Sequence, residues 1–78
     1  MSRNFTRNGK HITATNMGPD VSVMAAGGAL SQPTHEVIQF EDSNGETRTT
    51  SLQVGKFMTL TDMELRAIYD KTPPDNAA

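Results

Sequence analysis

The residues of this chain that could do chemistry are few, and their spacing matches no catalytic or metal-binding pattern. Two histidines, His11 and His35, are present, and cysteine is absent. A zinc site needs several His, Cys or acidic ligands at short spacing, which this sequence does not provide. Gly27-Gly28 lacks the following Lys-Ser/Thr of a phosphate-binding loop, and no nucleophile elbow is present. We therefore predict no metal, no cofactor and no enzymatic activity.

The first eleven residues form a basic segment that suits contact with an acidic partner. Its candidate contact residues are Arg3, Phe5, Arg7 and Lys10. Cations pair with phosphates and an aromatic ring stacks on bases, so weak nucleic-acid binding is one interpretation. Residues 36–78, however, carry eight acids against four bases, and an acidic body repels nucleic acid. We favour an arm over residues 1–11 that binds a protein, either a neighbouring subunit or a second copy, with a solvated tail as the other alternative.

The clearest element that could position such residues is a β-hairpin over residues 35–54. Asn44-Gly45 lies between two segments that suit a pleated sheet. This dipeptide provides the two positive φ angles of a type I′ turn, which joins strands through a two-residue loop. We therefore predict a tight hairpin at this position.

The predicted register of this hairpin leaves apolar residues on both of its faces. A two-residue loop sets Glu41 opposite Arg48. A shift by one residue opposes Asp42 and Glu46, and like charges so placed are unfavourable. The apolar residues are then Ile38 and Phe40 on one face, and Val37, Leu52 and Val54 on the other. Because a surface hairpin keeps one face polar, both faces need a cover, and Val37, Ile38, Phe40 and Leu52 are candidates for partner contact.

A capped helix over residues 62–71 is the second clear element. Thr61 followed by Glu64 has the spacing of a capping box, and Pro73-Pro74 prevents the helix from continuing. A hydrophobic staple from Leu60 to Leu65 fits the same start. The buried stripe is predicted to hold Leu65, Ile68 and Tyr69. We expect this helix to cover one face of the sheet.

The first half gives weaker signals. Asn8-Gly9 could turn a second hairpin, but that hairpin opposes Arg7 and Lys10, which argues against it. Short strands are predicted at residues 12–16 and 21–25, separated by the turn residues 18–20 and followed by a loop over residues 25–33. The sequence leaves the order of these strands open.

Together these elements predict an α+β, β-rich fold: a small antiparallel sheet of about four short strands plus one C-terminal helix. Residues 12–72 form the single domain, after the arm of residues 1–11 and before a proline-terminated tail of residues 73–78. Only fourteen residues, about 18% of the chain, are Leu, Ile, Val or Phe, so the core is small and help from a partner is expected. The five methionines are expected to serve as soft packing material.

Composition also limits where the chain functions. Small extracellular domains usually need disulfides, and neither a signal peptide nor a membrane-length apolar run is visible. We expect an intracellular or virion location and an oligomer or assembly component. The leading hypothesis is a non-enzymatic protein-interaction subunit, such as a viral (phage) decoration or connector protein. The alternatives are a small inhibitor or regulator of a host protein, and a weak nucleic-acid binder.

Overall fold

Four antiparallel strands and one helix make up the fold, seen in a computed structural model that describes residues 1–22 and 33–76. The elements are β1 (Ser2–Arg7), β2 (Lys10–Pro19), β3 (His35–Asp42), β4 (Thr47–Gln53) and α1 (Asp62–Lys71). The strands form a meander in the order β1-β2-β3-β4, and α1 packs on one face. The predicted α+β class, with four strands and one C-terminal helix, is confirmed.

The β1–β2 hairpin is present although charge repulsion had argued against it. Asn8 has φ 54° and Gly9 has φ 76°, which are the angles of a type I′ turn, and Arg7 lies opposite Lys10. The expected repulsion does not prevent the turn, because each cation has its own carboxylate, Asp70 for Arg7 and Asp42 for Lys10. The opposed charges are therefore neutralised locally. The segment expected to be a separate basic arm is instead an edge strand and the turn that follows it.

Strand β2 is longer than predicted. It continues through Gly18 and Pro19, where an irregularity between Asn16 and Gly18 shifts the pairing with β3 by one residue. Gly18 adopts φ 102°, a conformation that favours glycine, and so accommodates this bulge. Val21, predicted to begin a strand, lies in a turn. Residues 23–25 of that predicted strand, and the loop prediction up to residue 32, lie outside the described residues.

The β3–β4 hairpin is where the sequence predicts it, but its turn and register differ. Asn44 has a negative φ and only Gly45 has a positive one, at 84°. The Gly45 N–H donates to the Asp42 carbonyl at 3.0 Å, and the Asp42 N–H donates to the Glu46 carbonyl at 3.0 Å. This is a type I turn followed by a glycine bulge, with three residues in the loop. The predicted type I′ turn is wrong here, and that turn type occurs at Asn8-Gly9 instead.

The buried carboxylate of Asp42 explains why the rejected register is the one that forms. Its Oδ1 accepts hydrogen bonds from the backbone N–H groups of Asn44 and Glu46, at 2.9 and 3.0 Å, and Lys10 Nζ lies 3.5 Å from Oδ2. Burial alone raises the pKa of Asp42, but these N–H donors and Lys10 lower it below its ordinary value. Asp42 is therefore occupied by the turn and does not oppose Glu46 as a free charge.

The one-residue difference in register moves Leu52 to the other face of the sheet. Phe40 pairs with Arg48 and Ile38 pairs with Thr50, so even-numbered residues of both strands share a face. Leu52 consequently packs against the core on the side of Ile38 and Phe40. The prediction that placed Leu52 beside Val37 was wrong, since a shift of one residue reverses every side chain of a strand.

The core lies between this face of the sheet and α1. Its buried residues are Phe5, Ile12, Ala14, Ile38, Phe40, Phe57, Leu65 and Tyr69. Three aromatic rings meet edge to face at its centre, with centroid separations of 5.3 to 6.1 Å. The half-buried residues Leu52, Leu60 and Ile68 pack around them. Edge-to-face rings contribute beyond their buried area, about 0.5–1.5 kcal/mol per pair.

The predicted helix and its cap are confirmed. Thr61 Oγ1 accepts a hydrogen bond from the Glu64 N–H at 3.1 Å, and Glu64 Oε1 accepts one from the Thr61 N–H at 2.9 Å. This capping box satisfies two N-terminal N–H groups that have no partner within the helix. The helix ends at Lys71, where Thr72 turns back to donate its hydroxyl to the Ile68 carbonyl.

Candidate functional site

Two cations of the predicted arm, Arg3 and Arg7, are used inside the molecule. Arg3 donates to the Phe57 and Leu60 carbonyls, both at 2.7 Å, and lies 2.9 Å from Asp62 at the start of α1. Arg7 forms a two-pronged pair with Asp70, which raises the pKa of its guanidinium. Both side chains therefore attach β1 to the helix, and little of their charge is left for a partner.

Two further arginines complete this attachment, and the sequence did not single them out for it. Arg48 stacks on the ring of Tyr69 at 4.2 Å and donates to the Tyr69 and Thr72 carbonyls at the helix end. Arg66 reaches back from the helix and donates to the Thr6 carbonyl at 2.9 Å. Planar, multiply bonded guanidinium groups suit such partly buried sites better than lysine does. The four arginines bind the helix to both halves of the sheet.

The apolar residues predicted for partner contact lie mainly in the core. Phe5, Ile38 and Phe40 are buried, and Leu52 is half-buried against them. Val37 is half-buried on the opposite face of the sheet. Four of these five side chains are therefore engaged in intramolecular packing.

The face of the sheet away from α1 is polar. Its side chains include Asn4, Thr13, Gln39, Glu41 and Ser51. Asp20 folds onto this face and accepts a hydrogen bond from Ser51 at 2.8 Å. Hydrogen bonds from Ser22 and Ser51 lower the pKa of Asp20. Among the described residues, this face carries mainly hydroxyl, amide and carboxylate groups, with Val37 as a half-buried apolar side chain.

The two edges of the sheet differ. The C-terminal tail lies along β4: Pro74 bridges to Arg48, and the Asp75 N–H donates to the Thr47 carbonyl at 2.9 Å. The Asp75 carboxylate also accepts from the hydroxyls of Thr47 and Thr49, each at 2.9 Å. Within residues 1–22 and 33–76, no strand pairs with the outer side of β1. One edge is therefore covered by the chain itself, and the other is open over the described part.

Exposed apolar side chains collect at one end of the molecule, which we call the apolar end. It comprises Met1, Met17, Val21, Val54, Met58 and Met63, with exposed fractions between 52% and 79%. The topology brings them together, because β1 begins where β2 ends and the segment after β4 leads to the start of α1 beside Arg3. These six are all the large exposed apolar residues of the described ranges. The opposite end, with both tight turns and the helix C-terminus, has none among them.

The apolar end was missed by sequence reasoning, which treated the methionines as packing material. One signal was available: Met63 follows the N-cap by two residues, away from the stripe of Leu65 and Tyr69, and so had to face solvent. For Met17 and Met58 no local signal existed, because Met17 lies at the pairing irregularity of β2 and Met58 in the turns after β4, and the direction of both side chains depends on the sheet.

No three His, Asp or Glu side chains of the described residues are grouped as metal ligands. Within the same ranges, no helix has the length and apolar character needed to cross a membrane. No protein-family model, no curated protein and no solved structure matches the chain.

Proposed function

We propose that the chain is a non-enzymatic protein-interaction subunit of a larger assembly, and that it docks through the apolar end. The observation that supports this most directly is the segregation of exposed Met and Val side chains to that end. Exposed apolar patches on small proteins commonly mark interaction sites. Methionine side chains are flexible and polarizable, so they adapt to the surface of a partner.

The energy available from this surface is consistent with a docking role. Fully burying one methionine is worth about 1.5–3 kcal/mol, and these side chains are roughly half exposed or more. Four of them together therefore offer about 4–8 kcal/mol before the cost of association is subtracted, so this surface by itself gives weak binding. Tighter attachment requires several contacts at once, as in the repeated interfaces of an assembly. A viral (phage) decoration or connector subunit is the specific class that we propose.

Two alternative functions rest on other features of the structure. A small inhibitor or regulator could use the open edge of β1 to extend the sheet of a host protein. A nucleic-acid binder draws less support, because Arg3, Arg7 and Lys10 each lie within 3.5 Å of a carboxylate of the same chain. The mass of the protein in solution distinguishes an assembly subunit from a small inhibitor, since an assembly subunit associates with its own kind or with a scaffold.

Peroxide oxidation of methionine tests the proposal without knowledge of the partner. In the purified chain, Met17 and Met58, which lie away from the edge of β1, should oxidise at nearly the rate of the unfolded chain, because each is more than half exposed. In the cells or particles that contain the protein, we expect the same residues to oxidise several-fold more slowly. Equal rates in both settings would contradict docking through the apolar end.

A pair of matched variants adds a second readout. Met17→Lys with Met58→Lys should leave the fold intact, since neither side chain is buried, but should prevent the chain from sedimenting with its assembly. Met17→Leu with Met58→Leu keeps the apolar surface and should sediment normally. If the lysine variant is incorporated as well as the leucine variant, the apolar end is not the docking site.

A further inference from the structure

We propose that two copies of the chain pair through the open edge of β1, so that one antiparallel sheet runs through both. This inference rests on the proposed function as an interaction subunit and identifies one partner as a second copy. It concerns a surface that the apolar end does not include, apart from Met63 and Met1 at its margin.

The backbone groups of β1 are arranged for self-pairing. The Asn16 N–H donates to the Met1 carbonyl at 2.9 Å, so odd-numbered residues of β1 bond to β2. Ladder bonds alternate in an antiparallel pair, and the even-numbered residues Ser2, Asn4 and Thr6 therefore direct their N–H and C=O groups outward. With Asn4 on a two-fold axis, its N–H and C=O exchange bonds with Asn4 of the second copy. Ser2 of each copy then lies opposite Thr6 of the other.

Over the described residues, the chain covers one edge of its sheet but not this one. Proteins guard free edges with proline, charged side chains, bulges or a covering segment. The tail supplies Pro74 and Asp75 to β4. Strand β1 has no proline, lysine or bulge, and its two charged side chains, Arg3 and Arg7, are paired with acids of the helix. The only described group on its outer side is the guanidinium of Arg66, which bonds to the Thr6 carbonyl. That carbonyl retains a second lone pair for a partner strand.

The helix presents a compatible surface beside this edge. Asp62, Arg66 and Asp70, spaced by four residues, all bond to β1, so α1 runs alongside the strand. Met63 and Ala67 lie next to that row on the side facing outward, and both are exposed. A two-fold axis through Asn4 brings the two Met63 side chains toward each other above the paired strands. The small side chain of Ala67 leaves room for the second helix.

Charge opposes the pairing only weakly. The strand and the helix beside it carry four bases, Arg3, Arg7, Arg66 and Lys71, and three acids, Asp62, Glu64 and Asp70. Arg3 and Arg7 are already paired with acids of the helix. Each surface therefore has a net charge of only +1, so the open backbone groups and Met63 determine the contact.

The test is the mass of the purified chain in solution, measured by sedimentation equilibrium from about 10 µM to about 1 mM, a range suited to moderate affinities. We expect the weight-average mass to rise toward twice the 8.5 kDa of one chain. Asn4→Pro removes an outward N–H that makes no bond within the monomer, so the fold should remain while the mass stays at one chain. Asn4→Ala also loses the side-chain bond to Thr13 but keeps the N–H, and it should still dimerise.

Amide hydrogen exchange in the wild-type chain identifies the surface that pairs. Its result does not depend on whether the Asn4→Pro variant folds. In the wild-type chain, the Asn4 amide should exchange slowly where dimer predominates and rapidly where monomer predominates. A chain that stays monomeric at every concentration, or a dimer whose Asn4 amide is unprotected, would overturn this inference. Neither result bears on docking through the apolar end, which the methionine oxidation experiment tests separately. Conversely, a β1-paired dimer whose methionines oxidise equally in cells and in solution would support this inference and reject the proposed function.

Discussion

The two Asn-Gly turns make a sharp test of the fold, because the same dipeptide has different geometry in each. Asn8 has φ 54°, whereas Asn44 has a negative φ. Asparagine tolerates the left-handed region, but alanine there loses about 1–2 kcal/mol. We expect Asn8→Ala to reduce the free energy of unfolding by about 1 kcal/mol, which lowers Tm by about 4–8 °C in a domain of this size. Asn44→Ala should cost less than about 0.5 kcal/mol, as for ordinary surface substitutions.

The small effect at Asn44 follows from the contacts of the turn. The Asp42 carboxylate accepts a hydrogen bond from the backbone N–H of Asn44, and alanine keeps that N–H. The glycines provide the control: Gly9 and Gly45 have φ 76° and 84°, and an added Cβ meets no atom within 4 Å at either position. Gly9→Ala and Gly45→Ala should therefore both lose about 1–2 kcal/mol through backbone strain alone.

Urea unfolding followed by circular dichroism, at one protein concentration for all four variants, measures these differences. We expect the two glycine variants to lose similar amounts of unfolding free energy, and the two asparagine variants to lose unequal amounts. If Asn44→Ala is as costly as Asn8→Ala, then Asn44 also needs a positive φ, the turn is type I′, and our account of the β3–β4 register fails.

Three further predictions concern the contacts that hold the helix and the turn. Arg48→Met should lower the free energy of unfolding in urea by about 3 kcal/mol, because it removes the stacking on Tyr69 and the charged hydrogen bonds to the helix C-terminus. A loss below about 1 kcal/mol would show that these contacts do not stabilise the fold. Thr61→Ala should cost about 1 kcal/mol through the lost cap, and no measurable loss would place the helix start elsewhere. Because the pKa of Asp42 is lowered in the folded state, its contribution to stability is complete above the unfolded pKa of about 3.9 and is lost as pH falls through and below that value. Asp42→Asn should therefore make the free energy of unfolding less dependent on pH below about pH 5. If the variant and the wild-type chain lose stability equally as pH falls, the lowered pKa of Asp42 is contradicted.

Features that depend on neighbouring residues were predictable from the sequence. The helix start is fixed by Thr61 and Glu64, which bond to each other across three residues, and its end by the prolines that follow. The position of the β3–β4 hairpin is likewise local, because Gly45 is required wherever the turn type needs a positive φ. These elements were sufficient for the α+β class. The number of strands agrees with the prediction only because β1, which charge repulsion had argued against, takes the place of the strand predicted from Val21.

The candidate site was far less accessible to sequence reasoning. The basic residues near the N-terminus suggested a partner, but Arg3 and Arg7 meet carboxylates more than fifty residues away in the chain. The exposed methionines were missed because exposure depends on what packs nearby. Residue types alone do not show whether a charge is paired within the fold or available at its surface.

The sequence by itself therefore determined where the helix begins and ends and that Asn44-Gly45 lies in a turn, since those signals act over three or four residues. Tertiary structure decided the strand register, because the buried Asp42 found backbone donors and thereby removed the repulsion that local charges implied. It also decided the role of residues 1–7, which form a strand because Phe5 completes the aromatic core and α1 supplies acids to the arginines. Burial and charge pairing both depend on contacts between residues that are far apart in the chain, so neither can be known before the fold is known.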